Sequence, residues 1–366
     1  MIYIPMLKTR REEINVAKKM NKSFSRKMIP LFEIITEKYE KRYKIDPITN
    51  DYIYEQHGKR KMRKEEEPTD KDIITLDFLN DIVANKIVFI DYFRFNIKKY
   101  GNKIDISKIE LAWKLSNNEA LYMERIRAIS KYSNMIPVVS IKDGFDMNKK
   151  VLDVFLQELQ RENVSVALRI TEEWIHDYSG IIKNTLRSTD YLLFDICEQN
   201  PKSKFIELDE INEIESKAKV ILLNSPRKNS VKNGEYDIHG VTSLINNCAK
   251  NMAAKYQLEG YGDYCGLKDN LPSNDGSNGM GAALVLLYDY KCNGFYSYLN
   301  SDTSQGVQGY KKLIPIILGD RAILDSDGKC PAIKKIENME GPGNWSTWHN
   351  INITRYIYQV YKYNKK

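Results

Sequence analysis

VSVALRITEEWIHDYSGIIKNTLRSTDYLLFD, residues 164–195, contains one complete strand–helix–strand unit. VSVALR (164–169) and YLLFD (191–195) are short apolar runs, and each ends on a charged residue, Arg169 and Asp195. Between them, residues 171–187 open on the acidic turn Thr171-Glu172-Glu173, which suits a helix N-terminus. Strands that are continuously apolar are buried on both faces, as in a parallel sheet covered by helices.

The same unit recurs on either side. The further runs are IYIPMLK (2–8), MIPLFE (28–33), KIVFID (86–91), MIPVVS (135–140), KVILLNS (219–225) and LEGYGDY (258–264). Helical stretches are expected at 11–21, 70–85, 109–132, 147–162, 207–217 and 240–254. Eight such repeats predict an α/β fold of the (β/α)8, TIM-barrel-like kind. An open doubly wound sheet is the runner-up, and the absence of GxGxxG and GxxxxGK[ST] weakens it. Pro5, Pro30 and Pro137 are expected near strand entries, where no amide has to pair.

The barrel is expected over 1–265, with a tyrosine-rich, charged insertion at 36–70 on its C-terminal face as a lid or arm. Residues 266–366 form a C-terminal elaboration packed on the barrel. It begins with the loop-like LKDNLPSNDGSNGMG (267–281). A hairpin turning at Asn293-Gly294, a helix near 307–325 and a terminal helix at 345–363 follow.

The 366 residues are 42% hydrophobic and carry a formal net charge of +7. That excess suits a small anionic ligand, and much of it lies in HGKRKMRK (57–64), where nucleic-acid binding is the less favoured reading. Cys197, Cys248, Cys265, Cys292 and Cys330 form no CxxC motif and no Cys/His cluster, as in a reduced cytoplasmic protein. No secretory signal or membrane-length apolar run occurs, so no membrane partner is expected.

Function in such barrels sits where the strands end. Glu33, Asp91, Asp195 and Asp263 are the catalytic candidates, because carboxylates there suit acid, base or metal-ligand roles. Lys8, Arg10, Arg94, Arg169, Asn224, Ser225, Arg227 and Tyr264 are the candidates for holding an anionic substrate, and Ser140 and Lys142 stand at the same level. Gly260 and Gly262 suggest a close backbone approach where a ligand could rest. HExxH, EF-hand and GxSxG patterns are all absent; a metal could be held only through the carboxylates, and the cofactor is unknown. His349, in TWHN, is a candidate to fold back over the mouth.

YIPMLKTRREE (3–13), PLFEI (30–34), GYGDY (260–264) and GNWSTW (343–348) together resemble the phage Beta family. The resemblance implies a single-chain, barrel-like protein with a place in phage defence or phage–host conflict, and it carries no established reaction. Lys8, Glu33, Asp263, Tyr264, Trp345 and Trp348 fall within the matching motifs. The chain departs from the family in its insertion at 36–70, and in having HNINITRY (349–356) where paired histidines are expected. Two functional expectations follow. One is an enzyme, a hydrolase or lyase, acting on a small phosphorylated or nucleotide-like molecule. The other is a non-catalytic sensor that binds a ligand or a phage or defence-system protein.

Overall fold

A computed structural model describes residues 1–101, 103–273 and 281–364. Eight parallel strands close into a barrel: β1 (Ile2–Lys8), β2 (Leu31–Ile34), β3 (Val88–Tyr92), β4 (Met135–Ile141), β5 (Ala167–Thr171), β6 (Tyr191–Asp195), β7 (Lys219–Leu223) and β8 (Gly260–Asp263). Each strand pairs with its neighbours in chain order, and β8 returns to β1, so the barrel has no edge strand. Helices lie between the strands; the one at Lys149–Glu162 buries Leu152, Phe155, Leu156 and Leu159.

Side chains alternate between barrel interior and outer face, and register fixes which is which. Ile2 is paired with Gly260 and Ile4 with Gly262. A Cβ on Gly262 would stand 2.7 Å from both the Ile4 carbonyl oxygen and Leu223 Cδ2. The two glycines thus make room for interior side chains, and not for a ligand. Two residues on, Tyr264 shares their face, whereas Tyr261 and Asp263 point outward. On β1 the same alternation turns Lys8 inward, in register with Glu33, which is in turn level with Asp91.

Pro30 immediately precedes β2, as expected, whereas Pro5 and Pro137 lie inside their strands. Both sit where the ladder changes partner. Pro5 is the last residue of β1 paired with β8, and Pro137 precedes the first β4 residue paired with β5. A missing amide is tolerated there.

Several expected elements differ from those observed. β5 starts at Ala167, and Val164 is 77% exposed: apolar content alone does not separate a strand from its approach. The helix expected at 109–132 breaks at Asn118, whose extended backbone and side chain cap the second half by accepting from the Leu121 amide. Within 240–254 only Ala249–Lys255 is helical, because His239–Thr242 joins the C-terminal hairpin as a third strand.

That hairpin pairs Ala283–Asp289 with Gly294–Asn300, and Asn293 takes a positive φ of 49° at the turn. The terminal helix, Trp345–Asn364, joins the elaboration to the barrel. Trp348 and Ile351 belong to the elaboration's own core, with Tyr310 and Ile333, while Ile353, Tyr356, Ile357 and Val360 belong to the barrel's. The insertion carries an exposed hairpin, Tyr54–His57 with Arg60–Arg63. Of the loop expected at 267–281, residues 274–280 lie outside the described residues, as does residue 102. Among the described residues no helix is long and apolar enough to cross a membrane.

Candidate functional site

Arg169, projecting inward from β5, organises the barrel mouth. Its Nη1 lies 2.7 Å from Glu33 Oε1 and 2.8 Å from Asp91 Oδ2, while Nε and Nη2 reach Asp195 Oδ2 at 2.9 and 2.6 Å. Each carboxylate has further partners. Lys8 Nζ is 2.7 Å from Glu33 Oε2, and the Tyr264 hydroxyl donates to Glu33 Oε1 at 2.7 Å. Ser140 Oγ donates to Asp91 at 3.0 Å, and the Cys197 amide donates to Asp195 Oδ1 at 2.9 Å. A fourth carboxylate, Asp269, accepts from Lys8 at 2.7 Å, Lys99 at 3.2 Å and the Tyr100 hydroxyl at 3.0 Å.

Lys8, Glu33, Asp91, Arg169, Asp195 and Asp269 are buried, Tyr100 and Cys197 half-buried and Lys99 exposed, so the carboxylates rely on these partners in place of water. Burial pushes the Glu33 carboxyl up, but Lys8 and Arg169 reverse this and leave it at about 2. Burial likewise acts on Asp269, and Lys8 and Lys99 outweigh it, holding that carboxyl far below its ordinary value. Burial pushes the Cys197 thiol up to about 12, with Asp195 adding to the effect, so it stays protonated and unreactive. Among the described residues no group of three or more His, Cys, Asp or Glu is placed to hold a metal. At the centre of Glu33, Asp91 and Asp195 stands the Arg169 guanidinium.

A cavity of about 110 Å³ lies above this network, lined by Arg94, Lys99, Lys142, Arg169, Asp195 and Asp269 among others. Two of these cations have no carboxylate partner among the described residues. Arg94 stacks on Tyr122, donates to the Ser140 carbonyl at 2.8 Å, and leaves its Nε without an acceptor. The Lys142 ammonium lies 4.3 Å from the Phe93 ring centroid. Burial pulls its pKa from 10.5 down to about 8, with Asp91 pulling the other way.

The structure gathers Lys8, Glu33, Asp91, Arg94, Arg169, Asp195 and Tyr264 at one mouth. It sets five other expected site residues apart. Asp263 faces outward, where its carboxylate accepts from the Tyr3 hydroxyl at 3.0 Å, from the Cys265 amide at 2.7 Å and from the Tyr356 hydroxyl. Asn224 donates to the Cys197 and Gln199 carbonyls at 2.9 Å each, and the Ser225 amide donates to the Cys197 carbonyl, so both tie β7 to the loop after β6. Arg10 and Arg227 line a different cavity together with His349. Nothing from 36–70 lines the mouth cavity; Phe93–Tyr100 and Asp269 flank it instead.

Lys99, Tyr100 and Asp269 are the site members that sequence reasoning missed. Lys99 and Tyr100 come from the single helical turn Ile97–Tyr100 after β3, and Asp269 from the loop after β8, segments too short for periodicity to mark direction. The available signal was position alone, since each follows a strand end on the functional face.

A family model described as Beta protein matches residues 3–362. No curated protein sequence gives a match. The match runs through β1, the whole barrel and most of the terminal helix, taking in every residue of the mouth network. The chain belongs to the Beta protein family.

Proposed function

We propose that the barrel mouth binds a small phosphorylated anion, and that this recognition serves phage–host conflict. The observation that carries the reading is the pair Arg94 and Lys142. Both line the cavity, and neither has a carboxylate partner among the described residues. Arg94 is buried and Lys142 half-buried; a cation withdrawn from water without a counter-charge is unfavourable, and an entering anion relieves it. Size narrows the ligand class. An engineered cavity of about 150 Å³ holds benzene, so 110 Å³ takes a phosphoryl head group while a larger ligand's remainder projects outward.

In this reading Glu33, Asp91 and Asp195 hold Arg169 in place and do not act as acid or base. Every one of them already accepts from a cation or hydroxyl. That full engagement favours a sensor over a hydrolase. The exposed hairpin at Tyr54–His57 and Arg60–Arg63 is the surface offered to a phage or defence-system protein.

The test is calorimetric titration of the full chain with a small phosphomonoester such as glycerol phosphate. Saturable binding is expected, weakened about tenfold or more in Lys142→Met and Arg94→Met. Wild-type affinity in both folded variants refutes the reading. Phosphorus NMR of the same mixture should show no release of inorganic phosphate; release would restore the hydrolase. Loss of protection against phage in cells carrying Lys142→Met would connect the site to the conflict.

A further inference from the structure

A second cavity, of about 220 Å³, is lined by Arg10, Arg227, Lys268 and His349, with Asn233 and Asn270. It lies where the segments after β1, β7 and β8 meet the terminal helix. Among the described residues no carboxylate lines it.

Arg227 is 7% exposed and makes no ion pair among the described residues. It donates to the Gly266 carbonyl at 3.4 Å and to Asn233 Oδ1 at 3.1 Å, and Tyr236 stands beside the guanidinium; its Nε is buried and meets no acceptor in good hydrogen-bond geometry. The Lys268 ammonium reaches only carbonyls, those of Asn229 at 3.2 Å and Val231 at 2.6 Å. Among the described residues Arg10 alone of the three cations makes an ion pair, with Glu13, while Glu198 and Glu235 stand near enough to Lys268 to act on it. On its other side His349 borders a groove carrying Arg11, Glu12, Glu13 and Lys108.

We propose that this cavity is a second anion site, separate from the mouth, taking a phosphate-sized dianion between Arg10, Arg227 and His349. A guanidinium presents a planar fork of donors that fits a tetrahedral oxyanion. The orphaned Arg227 Nε supplies the donor that is missing a partner. Arg10, Arg227 and Lys268 crowd positive charge into this one cavity. Desolvation, then Arg10 and Arg227, push His349 down to about 4, and burial followed by Arg227 lowers Lys268. The segment 267–270 forms a shared wall: Asp269 borders the mouth cavity, while Lys268 and Asn270 border this one.

The two sites are separated by working in full-length protein carrying both Arg94→Met and Lys142→Met, whose mouth has lost its two unpaired cations, with inorganic phosphate as the probe. Calorimetry should still show one saturable phosphate event, and Arg227→Gln should weaken it at least tenfold. NMR of the imidazoles should show the pKa of His349 rising by more than one unit at saturation, while His176, which does not line the cavity, is unmoved. Should Arg227→Gln fail to fold, Arg227→Lys, which keeps the charge and loses the fork, should fold and bind more weakly. Absence of saturable phosphate binding, or binding that leaves His349 unshifted, overturns the second site. Neither result bears on the mouth, whose phosphomonoester binding is measured in wild-type protein.

Discussion

Arg169 and Glu33 meet at 2.7 Å across the barrel interior, although 136 positions separate them in the chain. The contact joins β2 to β5, strands that do not pair in the sheet, and it is one of three carboxylate contacts made by the same guanidinium. Removing one member of a buried charge group leaves the others uncompensated, at a cost of about 3–5 kcal/mol. Arg169→Met should therefore lower unfolding free energy in urea by at least that range. A variant with an unchanged midpoint and slope would show that the network contributes nothing to the fold.

Asp263 gives the outer face a pH signature. Burial raises its carboxyl from 3.8 to about 6, against the lowering effect of hydrogen bonds from Tyr356, the Cys265 amide and Tyr3. The folded state thus binds this proton more tightly than the unfolded chain does. Its contribution is fully present below about pH 4 and is lost as pH rises through 6. Comparing the pH dependence of denaturation in wild type and Asp263→Asn isolates it: the variant should lack a component of roughly 2–3 kcal/mol between those limits. Superimposable profiles would place the carboxylate elsewhere.

The interior glycines test the register. A Cβ at position 262 meets the Ile4 carbonyl oxygen and Leu223 Cδ2, each at 2.7 Å, and the first is backbone that cannot swing aside. Gly262→Ala should destabilise by about 1–3 kcal/mol through overpacking, measured by thermal melting. A neutral result would mean that position 262 faces outward.

The insertion should be dispensable for folding. Its hairpin is exposed, and Arg42–Asp72 and Arg125–Glu37 anchor the segment outside 50–67. Deleting 50–67 should move the melting midpoint by no more than about 2 °C, as for surface changes generally. Capture of a protein partner that uses the hairpin should disappear with it. Any nucleic acid held by the exposed basic strand should dissociate steeply as salt rises; a flat response excludes that contact.

The barrel was legible because its strands are apolar on both faces and end abruptly on charge, as KIVFID (86–91) and YLLFD (191–195) do. Lys8, Glu33, Asp91, Arg169 and Asp195 were legible for the same reason, each being an inward side chain at the last turn of a strand. Asp263 was not sorted from Tyr264 because adjacent residues face opposite ways, and only strand register identifies the inward one. Arg10 and Arg227 look like mouth residues from strand position, yet the loops that carry them turn toward the terminal helix. Lys99 and Tyr100, in a single helical turn, and Asp269, in a loop, depend on tertiary contacts that segments so short do not encode as periodicity.

Lys142 reports on the mouth itself, since burial holds its pKa near 8 when the cavity carries no anion. The folded state binds this proton less tightly than the unfolded chain, so stability should rise as pH goes from about 8 toward 10.5. An anion in the cavity must reverse the shift, because it favours the charged ammonium. The measurement is NMR titration of Lys142 in lysine-labelled, full-length protein, with and without a saturating phosphomonoester. Recognition at the mouth predicts a midpoint near 8 in the free protein that moves up by at least one unit on binding. A midpoint that stays put at saturation contradicts the site.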